Sequence, residues 1–75
     1  MNGPRIVDAR GTLCPQPIVA LARAASTAER GAEVVLLADD QVALTDVPAW
    51  CRIRGAALQQ VSEESGYWRF VITVP

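Results

Sequence analysis

Val34-Val35-Leu36-Leu37, four apolar residues in a row between Glu33 and Ala38-Asp39-Asp40, restricts the possible folds more than any other segment of this chain. The run is too short for a helix. As a strand it sends side chains to two faces, so it reads as a central strand covered on at least one of them. The remaining segments supply the neighbours and the cover. Arg5-Ile6-Val7-Asp8-Ala9 is a short strand candidate leading into a loop at Arg10-Gly11-Thr12. Pro15 to about Glu29 reads as a helix, with Ile18, Leu21, Ala22, Ala25 and Ala28 on one stripe and Gly31 as its stop. A second helix is expected from Thr45 or Asp46, with Asp46 as N-cap, Pro48 in the first turn and Gly55 closing it. Val47, Trp50, Cys51 and Arg54 share one of its faces.

Ala57 to Glu63 and Tyr67 to Val74 then read as strands joined around Glu64-Ser65-Gly66. In the last one, Trp68, Phe70, Ile72 and Val74 alternate with Tyr67, Arg69, Val71 and Thr73, the pattern of a half-buried strand. The order β-α-β-α-β-β predicts an α+β, two-layer sandwich with two helices on one face of a mixed four-stranded sheet. Residues 1–75 form one expected domain, because a chain this short has room for a single core. That core is made of small pieces, since 51% of the residues are hydrophobic and many of them are alanine.

Composition removes several kinds of function. There is no histidine, hence no Ser/His or Cys/His pair and no imidazole metal ligand. Two cysteines cannot make a four-thiolate zinc site, so no metal and no cofactor is expected. Seven arginines, no lysine and a net charge of -1 argue against direct nucleic-acid binding. No apolar run approaches the ~20 residues of a membrane span, and Met1 to Arg5 lacks the apolar stretch of a signal peptide. The expected compartment is the cytoplasm, where Cys14 and Cys51 would be kept as thiols.

The chemistry points to Gly11-Thr12-Leu13-Cys14-Pro15-Gln16-Pro17-Ile18. With Pro15 at the first helical position, where proline is favoured, Cys14 takes the N-cap place normally given to Ser, Thr, Asp or Asn. Leu13 and Ile18 then have the spacing of a hydrophobic staple. Pro15 and Pro17 bring no N–H to the helix mouth, leaving the Gln16 N–H to face the sulfur. The positive end of the helix dipole favours a thiolate there, so Cys14 is expected to have a lowered pKa. Arg10 is a candidate for added positive charge.

Pro17 occupies the position at which a thioredoxin-like C-x-x-C site has its second cysteine. A lone activated thiol with no resolving partner and no evident base suits a group carrier better than an acyl-transfer catalyst.

Asp8, Gly11, Cys14, Pro15 and Pro17 reproduce D-x-x-G-x-x-C-P-x-P, and the chain here resembles the TusA/SirA-like sulfur-carrier family. The likeness continues through Ala38-Asp39-Asp40 and Asp46-Val47-Pro48-Ala49-Trp50-Cys51 and covers nearly the whole chain. It implies a βαβαββ two-layer fold and a sulfurtransferase that carries a persulfide on Cys14. It also implies a cysteine desulfurase or rhodanese-like donor, and an acceptor leading to tRNA thiolation, molybdenum cofactor synthesis or sulfur oxidation. Some members have a basic residue directly before the cysteine, where this chain has Leu13. The alternatives are a regulatory or protein-interaction module using the same helix mouth, and a single-thiol redox sensor. Cys51 reads as a buried core thiol, Asp39-Asp40 as a solvated turn, Trp50 and Trp68 as core or rim, and Glu63-Glu64 as an exposed hairpin end.

Overall fold

A computed structural model describes residues 4–75; Met1 to Gly3, included in the single-domain expectation, lie outside the described residues. The elements follow in the expected order: β1 (Arg5–Asp8), α1 (Gln16–Thr27), β2 (Glu33–Ala38), α2 (Ala43–Arg54), β3 (Ala57–Glu63) and β4 (Trp68–Thr73). One mixed sheet has the order β1-β2-β4-β3, with β1 parallel to β2 and the other neighbours antiparallel. The apolar run of β2 is thus a central strand. Val34, Leu36 and Ala38 turn to the helices and meet Leu21 and Ala24 of α1, Val47 and Cys51 of α2, and Phe70 and Ile72 of β4. Both helices therefore cover the same face, and the α+β two-layer architecture holds.

The opposite face carries Ile6, Val35, Val71 and Gln60 side by side across all four strands. Val35 and Val71 are buried there, whereas Ile6, on the edge, is 66% exposed. β3 takes up an irregularity between Leu58 and Gln60 and then pairs through Glu63 with Trp68. Trp50 and Trp68 pack against the core at its rim, and Glu63 and Glu64 are exposed at the hairpin end, as their sequence settings suggest.

The end of α1 and the start of α2 move. α1 stops at Thr27 rather than near Glu29, and Gly31 does not cap it. At φ +83° Gly31 instead occupies the tight turn closed by Ala32 N–H donating to the Glu29 carbonyl at 2.9 Å. That turn sets up the Gly31 and Val74 N–H bonds that tie residues 31–32 to the end of the chain. α2 begins at Ala43, two or three residues before the expected start, because the Ala43, Leu44 and Thr45 N–H groups bond back to the Asp40, Gln41 and Val42 carbonyls. Asp46 is consequently inside the first turn and is not the N-cap. Pro48 lies inside the helix, where its missing N–H removes the bond that would close on the Leu44 carbonyl. Gly55, in the left-handed conformation, ends α2 as expected, with the Ala56 N–H returning to the Cys51 carbonyl at 2.9 Å.

Candidate functional site: a thiol between two carboxylates

The parallel pairing of β1 with β2 brings the carboxyl ends of both strands to one edge of the sandwich, and the loops into α1 and α2 leave side by side from there. Ala9 N–H extends the pairing to the Leu37 carbonyl at 2.8 Å. Beyond it the β1–α1 loop is held by acids of the β2–α2 loop. Gly11, at φ +82°, gives its N–H to both carboxylate oxygens of Asp39 at 3.0 Å. Asp40 accepts the Cys14 N–H at 2.7 Å with Oδ2 and the Val42 N–H at 3.1 Å with Oδ1. The second of these closes an Asx turn that starts α2. Thr12 folds the loop on itself, its hydroxyl donating to the Ala9 carbonyl at 2.7 Å. The two aspartates are therefore more than a solvated turn: they position the thiol loop.

α1 starts one residue later than expected. Pro15 is the N-cap, Gln16 is the first helical residue and Pro17 the second, so Cys14 stands one place outside the cap; the Cys14–Pro15 peptide is cis. The shift overturns several expectations at once. Gln16 N–H donates to the Leu13 carbonyl at 2.8 Å and does not face the sulfur. Leu13 is 75% exposed and clamps nothing, so the staple is absent. Pro17 does more than omit an N–H, for its ring is fully buried in the core. Arg10 is turned away as well. Its guanidinium holds Asp8 through Nε–Oδ1 at 2.9 Å and Nη2–Oδ2 at 2.8 Å, and lies 4.7 Å from the centre of the Tyr67 ring.

The thiol of Cys14, half-buried, donates instead to Asp46 Oδ2 from the first turn of α2. Its pKa is pushed up to about 11. The hydrogen bond to Asp46 is the main cause, followed by desolvation and the negative charges of Asp46 and Asp40. The expected lowering thus fails for a definable reason. The donors meant to stabilise a thiolate are used elsewhere or missing, and two carboxylates occupy the space around it. Asp46 is the site residue that sequence reading missed. It is 32 positions from Cys14, and its only signal was its place in the Asp46–Cys51 stretch of the family pattern.

Cys51 is 3% exposed among apolar neighbours, where burial raises its pKa. Both cysteines are free thiols. Among the described residues no helix is long and apolar enough to cross a membrane.

The α+β sandwich thus carries a free cysteine just ahead of its first helix. The family model described as sulfurtransferase TusA matches residues 5–74. A candidate sulfur carrier protein of Archaeoglobus fulgidus is 36% identical over 67 residues, which cover 89% of this chain and 92% of its own. YrkI of Bacillus subtilis, also a candidate sulfur carrier protein, is 32% identical over 72 residues, or 96% of each chain. The crystal structure of a SirA-like protein from Desulfitobacterium hafniense matches with a TM-score of 0.78 at 23% identity, over 91% of this chain and 93% of that one, a likeness of fold. The chain belongs to the TusA family of sulfurtransferases and sulfur carriers. Membership implies sulfur donor and acceptor proteins as its partners.

Proposed function

We propose that this protein accepts sulfur as a persulfide on Cys14 and passes it to a thiol of an acceptor protein. The observation that carries the reading is the setting of Cys14. It is a free thiol ahead of α1, within the D-x-x-G-x-x-C-P-x-P pattern, with Pro17 buried where a resolving cysteine would stand and Cys51 enclosed in the core. A persulfide formed there meets no second thiol of its own chain that could expel it.

In loading, the Cys14 thiol gives up its proton and the thiolate attacks the outer sulfur of a donor cysteine persulfide. The donor S–S bond breaks, Cys14–S–SH forms, and the donor cysteine leaves as a thiolate that takes up a proton. In unloading, an acceptor thiolate attacks the same outer sulfur and Cys14 is released. No net oxidation occurs in either step, and no metal or organic cofactor takes part. Pro15, Gln16 and Pro17 serve by fixing the start of α1: Pro17 is anchored in the core, and the Gln16 N–H closes the turn at Leu13. Arg10 acts at one remove, by ordering Asp8 and the loop start. A cysteine desulfurase or a rhodanese-like protein fits as donor, and the cytoplasm is the compartment that keeps Cys14 reduced.

Incubation with a cysteine desulfurase, cysteine and pyridoxal phosphate, or with a rhodanese-type donor, tests this by mass spectrometry of the intact protein. One added sulfur atom, mapped to Cys14, removed by dithiothreitol and absent from Cys14→Ala, is the expected result. Failure of all such donors to load the folded protein would replace the carrier with a docking module.

A further inference from the structure

Among the described residues, two carboxylates lie at Cys14 and no cation is paired with its thiol. Asp46 receives its S–H from α2, and Asp40, from the β2–α2 loop, holds its backbone N–H at 2.7 Å. The other charged and titratable groups of the surrounding loops are committed elsewhere. Asp39 is bound by the Gly11 N–H, Asp8 and Arg10 bind each other, and Tyr67 of the β3–β4 hairpin lies under Arg10. Leu13, next in sequence to the cysteine, is 75% exposed, and Val42, whose N–H bonds to Asp40, is 48% exposed. A nucleophile placed this way is held in its unreactive, protonated form, although sulfur transfer requires the thiolate.

We propose that Asp46 is a positioning residue that keeps Cys14 protonated while the protein is free, and that a partner unlocks the thiol by bringing a cationic side chain against Asp46 and Asp40. The functional meaning of the lock rests on the carrier reading, whereas the lock itself is measurable without any sulfur donor. A free carrier whose thiol is masked neither alkylates nor forms mixed disulfides readily with small molecules in transit. A docked cation cancels the charge that disfavours the thiolate, and the proton leaves to solvent. Reactivity then appears only where a donor or acceptor is already bound. Asp40 contributes charge to the lock, and its bonds to the Cys14 and Val42 N–H groups keep the thiol within reach of Asp46.

The direction of the effect follows from linkage between charge and thiol reactivity. Removing two units from a thiol pKa raises the thiolate fraction at pH 8 about a hundredfold. Intrinsic nucleophilicity falls with basicity, at a Brønsted slope of ~0.4–0.5, so the net gain in rate is about tenfold.

The test is the rate of Cys14 alkylation by iodoacetamide between pH 7 and pH 11, followed by peptide mass mapping, in the wild-type chain and in Asp46→Asn, Asp46→Glu and Glu33→Gln. Asp46→Asn should react about tenfold faster at pH 8, with its midpoint moved to lower pH. Asp46→Glu should keep the slow profile, and Glu33→Gln, exposed at the opposite end of β2, should leave it unchanged. A second arm needs no variant: wild-type Cys14 should react several-fold faster with cystamine, a dication, than with dithiodiglycolate, a dianion, each rate being divided by that of a free model thiol. An Asp46→Asn protein that folds, judged by its urea transition, yet keeps the wild-type profile overturns the proposal. Equal normalised rates with the two disulfides overturn it even if Asp46→Asn does not fold. Neither outcome touches persulfide loading, which is read separately with a donor.

Discussion

The Asp40 carboxylate bonds to the backbone N–H of Cys14 at 2.7 Å and to that of Val42 at 3.1 Å, so one side chain ties the residue ahead of α1 to the start of α2. The two helices touch the same sheet face, and the bond from the Gly11 N–H to Asp39 already links their entry loops. Asp40 adds a second tie at the edge where the parallel strands β1 and β2 both end. The placement of the thiol against Asp46 depends on this tie.

Asp40→Ala should therefore act on both stability and reactivity. Two hydrogen bonds to a charged acceptor are lost, at a cost of about 1–3 kcal/mol. Urea unfolding followed by tryptophan fluorescence measures it, with a lower midpoint expected at an unchanged slope. A fall in the slope instead would mean that the loops unfold independently of the sandwich. Persulfide loading should become less efficient in the folded variant, because Cys14 is no longer held in one place.

Cys51→Ser separates the two thiols. Cys51 is enclosed by the core cluster, and serine would put a hydroxyl among apolar side chains there. The expected loss is roughly 1–3 kcal/mol in the urea midpoint, with sulfur still added to Cys14 in the folded protein. Loss of loading in a variant that remains folded would assign Cys51 a part in transfer.

These cases show which features were legible in the sequence. Element order, the central place of β2 and the alternation of Phe70 and Ile72 with Arg69 and Val71 all rest on periodicities within a few residues, and these the sequence carries openly. The starts of α1 and α2 were less legible. Pro15 is compatible with both the cap and the first helical position, and Asp46 is a good cap residue that is used for another purpose. The choice was made by contacts between segments: Asp40 with Cys14, and Asp46 with the thiol. No local pattern encodes a neighbour 26 or 32 positions away. The inverted acidity of Cys14 follows from the same limit, since the helix mouth was visible in the sequence and the carboxylates facing it were not.

The Asp8–Arg10 pair yields a prediction in acid. The Arg10 side chain and N–H both bond to Asp8, holding its pKa near 2, and the ion pair raises that of Arg10 in turn. Because the folded value lies below the ordinary one of 3.8, the pair's contribution to stability is complete above that pH and is lost as the pH falls towards 2. Carboxyl-carbon NMR should place the Asp8 midpoint near 2, and Arg10→Ala should return it towards 3.8. An Asp8 midpoint that stays near 2 in Arg10→Ala would assign the shift to the Arg10 backbone N–H and not to the guanidinium.

Leu13 and Pro17 give the sharpest contrast at the start of α1, because a staple and a core anchor distribute the cost of truncation in opposite ways. A staple would make Leu13 the expensive residue and leave Pro17 as a helix-start preference only. The structure reverses this, with Leu13 75% exposed and the Pro17 ring among the fully buried side chains. Pro17→Ala removes two ring methylenes from the core, at about 0.8 kcal/mol each, and loosens the unfolded chain by a further ~0.4–1 kcal/mol. The sum is roughly 2 kcal/mol, whereas Leu13→Ala should stay within about 0.5 kcal/mol of wild type, as exposed sites generally do. The same pair should separate again in function. Leu13→Ala trims the exposed apolar side chain next in sequence to Cys14 and should slow transfer from a protein donor while leaving iodoacetamide alkylation unchanged. A Leu13→Ala protein as unstable as Pro17→Ala would restore the staple and refute the exposed placement of Leu13.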